Sequence, residues 1–576
     1  MSLIPLVLLF LLRLGFASAF FSWHSFLYEF GLLGAHPTTP FRSFGIAPPE
    51  VNLLRWDPRC EDSHVLLSPR GHFYPEPGPL IYDNRGNLVW IEKNWGMVMD
   101  LNVQRYRDQD YLTFWVGKDD GTRGLGSYYM LNSSYDVAHV VSPANGLHGD
   151  VHDFKITDEG TALMTIYDLV ETDLTPSGKS GNGWIYEGIF QEVDIETGEL
   201  IFQWSAGDYY NLDDSYFDIG EKGYAPHQAG AYDYYHINSI EKRADGTYLA
   251  SSRYMHSVTC ISATGEVLWV LGGKRNMFKD LSDDGSATGF TWQHDARWHS
   301  DRIITLLDNG ANEHEKTADH TRGLMIELDF DNWTARTLHV YHSPGHFSSH
   351  SQGNLQVLPQ TGNVFIGWGK PSAYTEFSTD GTEVLCDAHY GPSMFFWFGW
   401  IKSYRAQKAN WVGKPSWPPS FAVYAEKSSH AVYVSWNGAT EIAGWLLQRT
   451  TNRASAEFET LGYEPKKGFE TRLELAPDAP VDGYFYRVAA VDFKGEELGY
   501  TRVFATSGVT TPSPTIAEPD GDGFHQLLIA ACAAGALLAA AWKYKRQVLA
   551  IYAHCRRFIW GVMDRYRYRS YRSYRK

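Results

Sequence analysis

Short apolar runs separated by turn residues fill the chain between residues 64 and 395. The runs are rich in Val, Ile, Thr, Tyr and Phe, and helical periodicity is almost absent, so the pattern predicts strands. Two kinds of hairpin recur. The first has a glycine-containing turn followed by an apolar run with an aromatic residue, as in DNRGNLVW (83–90) and SATGEVLW (262–269). The second kind includes KRADGTYLASSR (242–253) and WHSDRIITLLDNG (298–310).

The two kinds of hairpin alternate in the middle of the chain, and two hairpins make one four-stranded sheet. About six such units fit between residues 64 and 400, and repeating four-stranded sheets pack radially about an axis. The pattern therefore predicts an all-β protein built on a six-bladed β-propeller at 64–400. A string of β-sandwiches is the alternative, but it would not explain the alternation. Residues 20–63 are expected to form an N-terminal arm or to close the ring.

The character of the chain changes after the repeats. Strand-like runs such as AVYVSWNG and DGYFYRVAAVD make residues 420–505 similar to a fibronectin-type-III β-sandwich, with Trp436 as its core aromatic residue and Tyr486 in a late strand. Residues 506–523 are rich in Thr, Ser and Pro, a composition typical of an extended stalk.

Both ends of the chain carry apolar runs. Residues 1–19 resemble a secretory signal peptide that ends in Ala-Ser-Ala; an uncleaved anchor is the alternative. Residues 524–542 are predicted to form one transmembrane helix, because acidic residues precede them and Lys543 and further basic residues follow directly. A buried Ala-rich core helix is the alternative. We expect a single-pass type I membrane protein with its propeller in the lumen or outside the cell.

The charge distribution agrees with this topology. The 576 residues carry a formal net charge of −17, yet residues 543–576 hold eleven Lys and Arg against one Asp. Such a basic tail is expected to lie on anionic lipid headgroups, so the lipid bilayer is a predicted partner through residues 524–542 and the tail. A receptor-like signalling tail is the alternative. The acidic outer part argues against binding of nucleic acid.

Few cysteines lie on the predicted outer side of the membrane. Cys60, Cys260 and Cys386 allow one disulfide and one free thiol at most, and the sequence leaves the pairing open. Two sequons, at Asn132 and Asn332, would be open to glycosylation in the lumen.

Histidines stand at one position of the repeat, directly before the second kind of hairpin. Successive members are 84, 58 and 56 residues apart, and in a propeller the first strand of every blade lines the central channel. The side chains should therefore converge at one mouth of the channel. Arg253, at the end of the strand TYLASSR, should point into the same space, and Lys370 is a weaker candidate. The four histidines are His152, His236, His294 and His350.

The chemistry of this cluster suits an anionic, tetrahedral group. His, Asn and Arg side chains can neutralise the charge on a transferred group and its leaving oxygen. No carboxylate lies in the same register, because alternation along a strand sends Asp153 and Asp295 to the opposite side from the neighbouring histidines. Residues 313–320 read as a polar loop over the channel, with a metal site as the alternative. No motif indicates a nucleotide or another cofactor.

The motifs HDF (152–154), HINS (236–239), SSR (251–253), QHDAR (293–297) and SHSQGN (349–354) resemble the arylsulfotransferase family, specifically its fungal-type branch. The resemblance implies a six-bladed propeller that moves a sulfuryl group from a phenolic sulfate ester to an acceptor phenol, without a nucleotide donor. It implies His294 as the nucleophile. The charge stabilisers or proton donors that it implies are His152, His236, Asn238 and Arg253. His350 is a further candidate, although its spacing to Asn354 differs from that of His236 to Asn238. The alternative is a non-catalytic surface propeller that binds a ligand or partner.

Overall fold

The computed structural model of the protein describes residues 23–505 except 73, 122, 228–229, 426–429 and 476–482. Strands dominate this part of the chain, which confirms the predicted all-β class. One α-helix, α1, spans Trp23–Glu29. Short 3₁₀ segments are found at Lys93–Trp95, Thr175–Ser177, Ala206–Asp208, Leu212–Asp214 and Ser393–Phe398.

The described residues form thirty-four strands, which are numbered in chain order. Those up to residue 300 are β1 (Asn52–Arg55), β2 (His64–Leu67), β3 (Leu80–Tyr82), β4 (Leu88–Ile91), β5 (Val98–Tyr106), β6 (Gln109–Asp119), β7 (Gly124–Leu131), β8 (Val137–Val141), β9 (Phe154–Ile156), β10 (Thr161–Asp173), β11 (Asn182–Asp194), β12 (Leu200–Ser205), β13 (Tyr232–Asp233), β14 (Ile237–Lys242), β15 (Tyr248–Ser252), β16 (Ser257–Ile261), β17 (Val267–Gly272), β18 (Lys279–Asp280) and β19 (His294–Ser300). Those that follow are β20 (Ile303–Asp308), β21 (Arg322–Asp329), β22 (Thr334–His342), β23 (Asn354–Val357), β24 (Val364–Gly367), β25 (Ala373–Phe377), β26 (Val384–His389), β27 (Ala406–Ala409), β28 (Ser420–Ala425), β29 (His430–Ser435), β30 (Gly444–Thr450), β31 (Glu459–Pro465), β32 (Glu470–Leu475), β33 (Phe485–Val491) and β34 (Glu497–Tyr500).

The strands from β2 to β27, except the short β13 and β18, form six antiparallel four-stranded sheets. Five of the sheets consist of consecutive strands, and one combines β27 with β2, β3 and β4. Their strand orders are β27-β2-β3-β4, β5-β6-β7-β8, β9-β10-β11-β12, β14-β15-β16-β17, β19-β20-β21-β22 and β23-β24-β25-β26. The short strands β13, β18 and β1 add to the third, fifth and sixth sheets. The first strands contact one another in the sequence β27, β5, β9, β14, β19, β23 and back to β27, so the sheets form a closed ring.

The predicted turn residues explain the hairpins. Between β3 and β4, the Asp83 carboxylate accepts hydrogen bonds from the backbone N–H groups of Arg85 and Asn87, at 2.9 and 2.8 Å. Gly86 in the same turn has a φ of 79°, a left-handed conformation that glycine adopts without steric cost. Acidic-Gly turns therefore connect the strands where the sequence indicated them.

Segments from the two ends of the repeat region complete the first and the sixth sheet. β27 pairs with β2, so the first sheet combines strands from both ends of the repeat region and extends beyond residue 400. β1 pairs instead with β26 at the outer edge of the sixth sheet. A disulfide between Cys60 and Cys386 links the segment after β1 to β26, while Cys260 is free and buried.

The centre of the ring holds buried charges. Arg405 Nη1 lies 2.7 Å from Asp100 Oδ1 and 2.6 Å from Asp153 Oδ1, and Arg297 Nη2 lies 2.8 Å from both Asp153 Oδ1 and Asp295 Oδ1. Burial alone would raise the pKa of Asp153, but the two guanidinium groups lower it. These ion pairs connect β5 and β19 with the residues directly before β9 and β27, so they join four sheets at the centre of the ring. Removing one partner of such a network typically costs about 3–5 kcal/mol.

Two smaller sheets follow the ring. Their orders are β28-β29-β32 and β31-β30-β33-β34, and they share a core that includes the fully buried Trp445. Trp436 is in this core too, and Tyr486 lies in β33. The Asn437 side chain exchanges hydrogen bonds of 3.0 Å with the backbone of Ile91 in β4, which attaches these sheets to the ring. The resemblance to fibronectin type III stays a prediction.

No helix among the described residues is long and apolar enough to cross a membrane. The predicted signal peptide (1–19), stalk (506–523), transmembrane helix (524–542) and basic tail (543–576) lie outside the described residues.

Candidate active site

One cavity of about 330 Å³ lies where the first strands of the sheets begin. His152 lies two residues before β9, and His236 lies directly before β14. His294 is the first residue of β19, and His350 lies shortly before β23. All four line this cavity, together with Arg253. The repeat register of the sequence therefore brings five of the predicted site residues to a single space.

Carboxylates support two of the histidines. His152 Nδ1 contacts Asp150 Oδ2, and His236 Nδ1 lies 2.5 Å from Asp233 Oδ2. The two imidazole rings are 4.8 Å apart between their centroids and nearly perpendicular. The expectation of a cluster without carboxylates was therefore incomplete: the carboxylates do not share the histidine register, but come from two and three residues earlier. They fix each ring through Nδ1 and leave Nε2 for chemistry.

The Asp233–His236 pair carries an extra proton at neutral pH, where an isolated aspartate would be ionised and an isolated histidine mostly neutral. Burial raises the pKa of Asp233 to about 8, and Asp233 Oδ1 has no hydrogen-bond partner in the described part of the chain. Burial, with smaller effects of His152 and Arg253, lowers the pKa of His236. Below about pH 8 the pair is therefore neutral as a unit and can give a proton to a departing oxyanion.

His294 is held as a neutral imidazole. Its Nδ1 lies 2.7 Å from Asn309 Oδ1, an oxygen that can only accept, so Nδ1 carries the proton and Nε2 the lone pair. Burial first, and then the charge of Arg253, lower the pKa of His294 well below its usual range. The backbone N–H of Gln352 donates to Nε2 at 3.1 Å. Asn309 is itself fixed, because its Nδ2 donates to the carbonyls of Ser349 and Gln352 at 3.2 and 3.0 Å.

Arg253 is a buried cation that forms no ion pair with a carboxylate of the described residues. The residue is 6% exposed, and Nη2 donates to the backbone carbonyl of His350 at 2.5 Å. The guanidinium carbon lies 5.2 Å from the centre of the Trp292 ring. Burial lowers the pKa of Arg253, but an arginine stays charged at neutral pH. A buried positive charge without a protein counter-ion favours an anionic ligand.

The remaining candidates differ in position. Burial, followed by the Lys370 ammonium, lowers the pKa of His350 to about 4, and Lys370 Nζ lies 3.9 Å from Glu313. Asn238 does not line the cavity; it is fully buried, and its Nδ2 donates to the backbone carbonyl of Gln293 at 2.7 Å. The structure thus gives Asn238 a role in joining β14 to β19 rather than contact with the cavity.

Comparison with known proteins identifies the family. A family model described as Arylsulfotransferase (ASST) matches residues 102–390, about half of the chain. The chain belongs to the arylsulfotransferase family. No curated protein matches it.

Several solved structures are distantly similar to this arylsulfotransferase-family chain. A protein of unknown function from Bacteroides caccae is 13% identical, with a TM-score of 0.34, and the match covers 60% of this chain and 99% of that one. The allergen Mala s 1 of Malassezia sympodialis is 11% identical, with a TM-score of 0.27 and coverage of 58% and 86%. A virginiamycin B lyase from Staphylococcus aureus is 6% identical, with a TM-score of 0.29 and coverage of 66% and 96%. At these values the likeness says nothing about activity.

The structure adds residues that the sequence had not indicated for this family member. Tyr404 lines the cavity, its ring lies 5.5 Å from that of His152, and its hydroxyl has no hydrogen-bond partner among the described residues. Asn309 directly follows β20, as Arg253 directly follows β15, so the repeat itself carried a signal for it. The predicted polar loop contributes Glu313 and His314 to the cavity wall.

Proposed function

We propose that the protein is a membrane-tethered aryl sulfotransferase that moves a sulfuryl group from a phenolic sulfate ester to an acceptor phenol through a sulfohistidine. The observation that carries the proposal is the neutral His294, with its lone pair on Nε2, in the same cavity as Arg253, a cation with no carboxylate partner among the described residues. Membership of the arylsulfotransferase family supports the reaction class. The closed ring of six sheets supports a six-bladed propeller as the scaffold.

In the first half-reaction, Nε2 of His294 attacks the sulfur of the donor. A nitrogen–sulfur bond forms, the bond from sulfur to the aryl oxygen breaks, and the phenolate leaves. Such transfers pass through a loose transition state, so the protein mainly positions groups and neutralises charge. Arg253 is placed to interact with the sulfuryl oxygens, and the Asp233–His236 pair supplies the proton that the phenolate takes.

In the second half-reaction, the pair that gave up its proton takes one from the acceptor phenol. The phenolate oxygen then attacks the sulfur, the nitrogen–sulfur bond breaks, and His294 regains its lone pair. Throughout, Asn309 Oδ1 accepts from Nδ1–H and so stabilises the positive charge on the sulfonated ring. The Gln352 N–H now bonded to Nε2 can donate to a sulfuryl oxygen when sulfur occupies that position.

The proposed topology is that of a single-pass type I membrane protein with the propeller in the lumen or outside the cell. The basic tail after residue 542 supports this orientation, as does the disulfide between Cys60 and Cys386, since disulfides persist in oxidising compartments. A propeller that begins at residue 64 and extends beyond residue 400 to include β27, a fibronectin-like domain at 420–505, and membership of the fungal-type branch form part of the same proposal.

The test is a transfer assay with the purified full chain, an aryl sulfate donor and a second phenol as acceptor. We expect parallel double-reciprocal lines, typical of a ping-pong reaction, and a sulfated acceptor identified by its mass. His294→Asn should abolish transfer. His299→Asn, an exposed histidine at the far end of β19, is the matched control and should keep it. A wild type that transfers nothing from a broad set of aryl sulfates would contradict the proposal and favour a ligand-binding propeller.

A further inference from the structure

A surface rich in exposed aromatic side chains borders the cavity. It consists of two segments, residues 23–33 and 393–400, which we call the aromatic rim. Burying such side chains is strongly favourable, so a cluster of them in water usually marks an interaction surface. The large apolar residues that these segments expose are Trp23, Phe30, Leu32, Leu33, Met394, Trp397 and Phe398.

The two segments form one continuous surface. Along the first, the ring of Phe26 lies 5.4 Å from that of Trp23 and 4.5 Å from that of Phe30. The next residue, Gly31, packs so closely on the second segment that a Cβ would be only 2.5 Å from the Phe395 ring. This contact requires glycine, and its φ of 66° favours glycine as well.

The rim reaches the wall of the cavity. The ring of Trp397 lies 4.5 Å from the ring of His350, which lines the cavity. In the same segment, the ring of Phe398 stacks on that of Trp400, with 5.0 Å between the ring centroids. A body that covered the rim would therefore lie directly next to the cavity.

The rim presents little charge to solvent. Its single carboxylate, Glu29, is turned toward the protein, where it lies 2.8 Å from His389 Nδ1 and accepts from Asn52 Nδ2 at 2.6 Å. The second segment, Ser393 to Trp400, has no charged residue at all. Exposed Trp and Phe without charge are typical of surfaces at a membrane–water interface, where the rings sit at the level of the headgroups.

The sequence before the rim also points to lipid. Phe20 and Phe21 lie just before Trp23, and the apolar run Leu3 to Leu12 precedes them. If residues 1–19 are removed, Phe20 and Phe21 still add two aromatic residues in front of the rim. We propose that the aromatic rim docks onto the surface of a lipid bilayer, so that the cavity lies beside the membrane. This proposal does not depend on the proposed transfer reaction.

The test places a spin label on the rim of the full chain reconstituted in phosphatidylcholine vesicles. Phe398→Cys is labelled in a chain in which Cys532 and Cys555, the cysteines outside the described residues, are replaced by Ser; Cys260 is buried and stays. Molecular oxygen concentrates in lipid and a nickel chelate stays in water, so their relative collision rates with the label report its surroundings. The matched control is Phe493→Cys, a phenylalanine 87% exposed in the turn between β33 and β34.

We expect the oxygen-to-nickel collision ratio at Phe398→Cys to exceed that at Phe493→Cys several-fold. Trp23→Cys, on the other segment, should give the same result and provides a second reading if Phe398→Cys fails to fold. Equal ratios at the rim and the control would overturn the proposal. A rim label shielded from both oxygen and nickel would also overturn it, because protein, either another part of this chain or a second copy, would then cover the surface.

Discussion

Substitutions of two buried arginines should separate effects on catalysis from effects on stability. Arg405 lies within 2.7 Å of the carboxylates of Asp100 and Asp153, whereas Arg253 has a backbone carbonyl as its only hydrogen-bond acceptor among the described residues. Arg405 therefore stabilises the fold, whereas Arg253 binds the anionic substrate in the proposed reaction. Replacing each by Met, which keeps most of the side-chain length, should therefore have opposite effects.

For Arg253→Met, the loss of one charge stabiliser should lower kcat/KM by about 10²–10³, equivalent to about 2.7–4 kcal/mol of transition-state stabilisation. The free energy of unfolding should stay level or rise. The variant loses one hydrogen bond to a charged donor, worth about 1.5–3 kcal/mol, but it no longer buries an unpaired cation, whose desolvation costs several kcal/mol. Arg405→Met removes an ion-pair partner of three buried carboxylates, those of Asp100, Asp153 and Asp295, and should lower the free energy of unfolding by about 3–5 kcal/mol.

The assays are phenol release from an aryl sulfate and chemical unfolding followed by tryptophan fluorescence, both on the full chain in detergent. The comparison is internal, because both side chains are arginines buried in the same ring. An Arg253→Met variant with nearly wild-type kcat/KM would refute the assignment of Arg253 to the substrate. An Arg253→Met variant destabilised as strongly as Arg405→Met would refute the claim that its charge is unpaired in the fold.

Three further outcomes are expected. Burial raises the pKa of Asp233 to about 8, so its pair with the neighbouring histidine keeps the proton below that pH and loses it above. The kcat/KM for phenyl sulfate, which has a basic leaving group, should fall as the pH rises through about 8, while that for 4-nitrophenyl sulfate stays level; identical profiles would argue against a proton donor. Cys60→Ser should lower the free energy of unfolding by about 2–5 kcal/mol, because it removes the disulfide. A reductant should lower the free energy of unfolding of the wild type by the same amount, and that of the control Cys260→Ala equally. In cells that export the chain, endoglycosidase should increase the electrophoretic mobility of the protein. Asn332→Gln, at the exposed sequon, should reduce this mobility change more than Asn132→Gln, at the half-buried sequon. A wild type whose mobility does not change would contradict the lumenal topology.

The histidine register was predictable because a repeat fixes geometry. Residues at one position of each hairpin pair must meet if the sheets close into a ring, so His236 and His294 could be placed together from their spacing alone. Asp153 and Asp295 do not line the cavity, as predicted, and the structure pairs both with Arg297. Regular alternation is not the reason, because Asp153 precedes β9 and Asp295 has a φ of 56° at a bulge in β19.

Other parts of the site were beyond a pattern-based prediction. Asp150 reaches His152 from irregular backbone before β9, and Asp233 reaches His236 from the short strand β13. His236 itself has a φ of 55°, which no periodicity encodes. Asn238 shares the register but joins two sheets through Gln293, because a bulge in β14 turns it from the cavity. Tyr404 arrives from the segment that closes the ring, far along the chain from its neighbours in the site.

The sulfohistidine on His294 is the central claim, and it can be trapped. The full chain is mixed with an aryl sulfate that has a good leaving group, without acceptor, and quenched under conditions that preserve nitrogen–sulfur bonds. Mass spectrometry of the digest should find one added sulfuryl group on the peptide that holds Trp292 to Arg297, and the group should disappear when a phenol is added before the quench. A sulfuryl group on a different histidine, or phenol release that persists in His294→Asn, would contradict the account.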